Sequence, residues 1–146
     1  MISEAIDTAA AAERLRPVLL RLSRELRRET ETLGVTSRQV TLLWLVHEHP
    51  GLTLGELAAL ERISAPSLSG HVDRLERAGL LERARSDEDR RRVALRLTPS
   101  GSRLLRRVRT RRTTWLAERL GTLEPEQIEA IDRAIDPLLA LLEENE

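Results

Sequence analysis

The sequence predicts a mainly α-helical chain carrying one small β-hairpin, and three observations point there. Two capping boxes, "TSRQ" at Thr36 and "TLGE" at Thr53, each open a segment whose apolar residues recur at helical spacing. Two short β-rich segments, "LLERAR" and "RRVALRLT", flank the charged run "SDEDRRR", which holds no apolar residue and reads as a hairpin tip. Longer stretches with leucine or isoleucine every three or four residues stand at both ends of the chain. At 146 residues there is room for one domain with a real core, not for two independent folds.

Each element has its own signal. Thr8 to Leu33 reads as a long first helix with Leu15, Leu19, Leu22, Leu26 and Leu33 near heptad spacing. Pro17 either kinks it or marks its start, and Gly34 stops it. After the Thr36 box, Val40, Leu43, Trp44 and His47 are expected to line one face, up to a stop at "HPG". The Thr53 box opens a short helix with Leu57, Ala58 and Leu60 inward, ending near Arg62. Ser64 caps the next, Pro66 is tolerated in its first turn, and Leu68, Val72 and Leu75 form its apolar stripe up to Gly79. Beyond the hairpin, Thr98 caps a helix with Pro99 at its first position and Gly121 at its end. The last helix follows Pro125; its Ile128, Ile131, Ile135, Leu138 and Leu142 make a narrow seam that needs a partner, and Pro137 after Asp136 predicts a kink or restart.

Composition narrows the function. Without cysteine there is no disulfide framework, thiolate metal site or cysteine nucleophile. His47 and His49 lack a third ligand, so neither metal nor cofactor is expected, and His47 reads as a half-buried histidine. No hydrolase elbow, phosphate-cradling glycine loop or paired-carboxylate motif appears, so no enzyme is expected. The only aromatics, Trp44 and Trp115, read as core, which disfavours binding of single strands by base stacking. With neither a signal-peptide pattern nor an apolar run of about 18 residues, a cytoplasmic protein without a membrane partner is expected.

Net charge is zero, but it is segregated: −2 over residues 1–61, +9 over 62–112 and −7 over 113–146. All twenty-four cations are arginine, which fits genome composition or bidentate phosphate recognition equally well. The stretch "RLLRRVRTRR", Arg103 to Arg112, leaves three readings open: a solvated face paired with acidic helices, a phosphate contact, or the lining of an anion site.

Three short helices, two joined by a tight turn around "ERIS", then a hairpin with a charged tip, give the order of a winged helix-turn-helix, an arrangement that reads DNA. "DRLERAGLLERARSDEDRRRVALRLTPSG", Asp73 to Gly101, resembles the signature of the MarR family of bacterial transcriptional regulators, and the order of elements fits that family over nearly the whole chain. The family pattern of Asp, any residue, Arg and then Leu-Thr falls on Asp89, Arg91, Leu97 and Thr98. The resemblance implies one MarR-like domain over residues 1–146, with a winged helix-turn-helix at 36–98 and dimerisation helices at 8–33 and 99–146. It also implies a homodimer on double-stranded DNA, at a pseudo-palindromic operator whose half-sites lie about one turn, roughly 34 Å, apart.

On that reading the helix from Ser64 enters the major groove, offering Ser64, Ala65, Pro66, Ser67, Ser69, Gly70, His71, Arg74 and Arg77. Arg91 enters the minor groove with Asp89 holding its guanidinium, while Arg90 and Arg92 face phosphates or water. Family members often carry Arg or Thr where this chain has Gly70, which therefore permits close backbone approach or reflects weak specificity. The family's phenolic and carboxylate ligands imply a small, anionic effector that relieves repression; Trp44, His47, Arg107 and Arg111 are its candidate contacts. The alternative function is a helical dimer using its winged domain for protein contacts, with only nonspecific DNA binding; Gly70 and the acidic Asp73 argue for it.

Overall fold

Local caps set the helix starts in the computed structural model, which describes residues 5–85 and 91–143. α1 (Thr8–Arg28) starts where the Asp7 carboxylate accepts from the amides of Ala9 and Ala10. It continues through Pro17 without a new start there and ends five residues before the expected Leu33. There the Thr30 hydroxyl donates to Arg27 O, a short 3-10 turn takes Glu31–Leu33, and Gly34 follows at φ 79°. α2 (Ser37–Glu48) and α3 (Leu54–Glu61) begin at the two threonine caps, where the Thr36 box closes in both directions. α4 (Ala65–Arg77) begins at Ser64, whose hydroxyl accepts from Ser67 N–H, and carries Pro66 in its first turn. β1 (Leu81–Arg85) and β2 (Val93–Leu97) pair antiparallel with Leu81 opposite Leu97 and Arg85 opposite Val93. α5 (Pro99–Leu120) and α6 (Pro125–Ala140) close the chain, and α6 runs through Pro137 without a restart.

The core gathers under the hairpin. Leu42, Leu43, Leu57, Leu68, Val72, Leu75, Leu81 and Leu95 are fully or almost fully buried, and Leu105 and Val108 bring α5 onto them. Burying a side chain of this size stabilises by about 1.5 to 3 kcal/mol, so the α2–α4 and hairpin unit is the stable body of the chain.

Two expected faces turn out differently. α2 buries Val40, Leu42, Leu43 and Val46 because both β2 and α5 cover it, which rotates the buried sector away from Trp44 (44% exposed) and His47, both on the surface. Leu60 is likewise exposed, because the eight-residue α3 buries only Leu57 and Ala58.

The hairpin is anchored at two further points. Leu95 N–H donates to Leu52 O at 2.7 Å and Thr53 bridges Ala94, so the approach to α3 lies along β2 as a rudimentary third strand. At the far end, Thr98 accepts from Gly101 N–H at its side-chain oxygen, donates its hydroxyl to Gly79 O at 2.5 Å and its N–H to Leu80 O at 3.1 Å. Gly101 lies so close to Leu80 that an added Cβ would sit 2.1 Å from Leu80 O.

α1 and α6 bury no residue within the chain. Val18, Leu19, Leu20 and Leu22 on α1 are exposed, as are Ile131, Ile135 and Leu139 on α6, while Ile128 and Leu138 are half-buried.

Candidate nucleic-acid interface

The buried stripe of α4 fixes what its opposite face shows. With Leu68, Val72 and Leu75 in the core, the positions three and four apart on the other side, Ser67, Gly70, Arg74 and Arg77, form an outward row. Ser64, Ala65, Pro66, Ser67, Arg74 and Arg77 are exposed, and Ser69, Gly70 and His71 are half-buried. Arg62, in the left-handed region at φ 54° and ψ 41°, makes the sharp turn that ends α3 and aims α4 outward. Around Gly70, with ordinary helical backbone, nothing within 4 Å would meet an added Cβ, so no packing demand inside the chain requires glycine there.

The wing stands beside this row. Asp89 and Arg90 lie outside the described residues. Arg91 is exposed where the chain returns toward β2. Arg92 is held by Glu56 of α3, so one of the two cations with an ambiguous direction ties the wing to the helix-turn-helix. Four further ion pairs belong to this head: Arg96 with Glu82 across the hairpin at 2.6 Å, Arg38 with Glu61 at 3.6 Å, and Arg83 of β1 with both Asp73 and Glu76 of α4. The Glu82–Arg96 pair was readable from hairpin register. Arg83 and Glu56 act over longer distances, and nothing in the local sequence singles them out.

α5 divides the basic stretch Arg103–Arg112. Arg112 donates twice to the buried Thr30 hydroxyl, at 2.9 and 3.3 Å, and Arg111 donates to Thr32 Oγ1 at 2.9 Å, pinning α5 to the α1–α2 link. Burial, and then the neighbouring Arg27 charge, pull the Arg112 guanidinium below the usual arginine range. None of the six arginines forms an ion pair among the described residues, so pairing with acidic helices does not account for them there. Arg106, Arg107 and Arg111 line a cavity of about 520 Å³ with Leu33, Trp115 and the carboxylates of Glu29 and Glu118, and Arg119 stacks over the Trp115 ring at 5.2 Å. Trp44 lines a separate cavity of about 230 Å³ with Arg109 and Arg112. The four effector candidates are thus split: Arg107 and Arg111 meet, Trp44 is elsewhere, and His47 is on the open surface.

Among the described residues no group of three or more His, Asp or Glu is placed to hold a metal ion, and no helix is long and apolar enough to cross a membrane.

A reading helix seated on a helix-turn-helix, with a hairpin wing strapped beside it, defines the winged helix-turn-helix class of DNA-binding proteins. Residues 35–93 match the MarR family. An HTH-type transcriptional regulator of Mycobacterium tuberculosis is 34% identical over 137 residues, 94% of this chain and 96% of the relative. The structure of a MarR family protein from Bacillus stearothermophilus superposes with a TM-score of 0.81 at 28% identity, covering 94% of this chain and 99% of that one. A mutant of Staphylococcus aureus MepR bound to an oligodeoxyribonucleotide shares the fold, with a TM-score of 0.68 at 23% identity over 91% of this chain and 98% of its own. The chain belongs to the MarR family of helix-turn-helix transcriptional regulators. It is a DNA-binding regulator and not an enzyme.

Proposed function

We propose that this regulator acts in the cytoplasm as a homodimer that reads a pseudo-palindromic operator and represses transcription from it until a small anionic effector binds. The observation that carries the reading is the outward row Ser67, Gly70, Arg74 and Arg77 on a helix whose other face is locked into the core beside the wing. The first residues of α4, from Ser64 to His71, would meet base edges, Arg74 and Arg77 would meet phosphates, and Arg91 would reach the adjacent minor groove with Asp89 supporting it. Asp73, which favoured a protein-contact role for the winged domain, is engaged by Arg83, which weakens that alternative.

Selection of bound duplexes from a random pool tests the reading. The expected result is an enriched inverted repeat with half-sites about 34 Å apart, on which Arg91→Ala lowers affinity by roughly 1 to 3 kcal/mol while the fold persists. Enrichment of no sequence, with affinity falling steeply with salt on every duplex, would favour the alternative of nonspecific binding.

A further inference from the structure

Arg83 stands on β1, outside the set of residues assigned to DNA, yet it makes the densest charge contacts of the head. Its Nη1 donates to Glu76 Oε1 at 2.9 Å and Oε2 at 3.2 Å, and its Nη2 to Asp73 Oδ1 at 3.1 Å. Both acids belong to α4, and Asp73 sits one turn from both Gly70 and Arg77, at the border of the outward row. α4 carries two acids and two arginines, so alone it offers a phosphate no net attraction.

The pairing is systematic. Among the described residues every carboxylate between Thr53 and Leu97 has an arginine partner: Glu56 with Arg92, Glu61 with Arg38, Asp73 and Glu76 with Arg83, and Glu82 with Arg96. Arg62, Arg74, Arg77 and Arg85 form no ion pair among these residues and remain available to an outside anion. Pairs this exposed add little to folding stability. Their larger effect is on the field that an approaching duplex meets, because a bare carboxylate beside the reading row repels the phosphates that its neighbours attract.

We propose that Arg83 is a positioning residue for DNA binding: it neutralises Asp73 and Glu76 and draws their oxygens toward β1, so that Arg74 and Arg77 set the charge α4 presents to the duplex. The inference rests on the DNA-binding reading, and its test separates the two. Affinity for a mixed-sequence duplex at low ionic strength is compared, with melting temperatures, for wild type, Arg83→Ala, the double variant Asp73→Asn/Glu76→Gln, and the triple variant.

Arg83→Ala is expected to lose about tenfold in affinity. The double variant should bind at least as tightly as wild type, and the triple should stay within about threefold of the double, because the acids that Arg83 answers are gone. Unchanged affinity in Arg83→Ala overturns the proposal. So does an equal loss in both backgrounds, which would make Arg83 a phosphate contact in its own right. If Arg83→Ala does not fold, the double variant decides, since it keeps the arginine: retained or tighter binding supports neutralisation, and weakened binding overturns it. Wild-type protein that fails to bind the duplex would overturn the DNA-binding reading itself, whereas the other adverse results leave that reading standing.

Discussion

Two glycines with different surroundings show what single residues contribute. Gly101 lets the start of α5 lie against Leu80, and an added methyl there meets backbone at 2.1 Å. Gly70 faces open space on a helix that would form better without it. Opposite outcomes are expected from the same substitution: Gly101→Ala should destabilise by about 1 to 3 kcal/mol or more, and Gly70→Ala should stabilise by roughly 0.5 to 1 kcal/mol. Chemical denaturation of both variants checks the pair. The affinity of Gly70→Ala for its selected duplex then chooses between the two readings of that position: a loss despite the gain in stability means that the helix backbone approaches DNA closely there, and no change points to weak specificity.

Legibility differs sharply between elements. The starts of α2, α3, α4 and α5 were readable because a cap is settled within four residues, and the α4 stripe because three apolar positions fix one face. The end of α1 was not, since Thr30 breaks the helix while being buried against Arg112, a residue 82 positions away. Nor was the exposure of Trp44 and His47, because a helical wheel gives the angle between residues and not how many neighbours cover the helix. The same limit hid Arg83, whose partners come from another element. On α5, Arg106, Arg107 and Arg111 line a cavity with Trp115 and with Glu29 and Glu118, and if the proposed effector is an aromatic carboxylate those arginines are its candidate contacts. Benzoate is expected to raise the melting temperature and release the selected duplex, and Arg107→Ala to lose both responses; a variant that still responds would place the effector elsewhere.

At the scale of the molecule, the stable head and the two uncovered terminal helices divide the work. Val18, Leu19 and Leu22 on α1 and Ile131, Ile135 and Leu139 on α6 leave an apolar surface that a monomer would expose to water. A homodimer is typical of the family, and a second copy is the expected cover for this surface. Sedimentation should give twice the chain mass, and Ile135→Asp should shift it toward monomer while the head keeps its melting transition; an unshifted dimer would remove α6 from the interface. The strip at Leu52–Thr53 has a different consequence. It makes β2 an inner strand, so the sheet's outer edge is β1, five residues long and carrying Glu82, Arg83 and Arg85. A short, charged edge is a poor template for another chain's strand, so the wing is guarded against edge-to-edge aggregation.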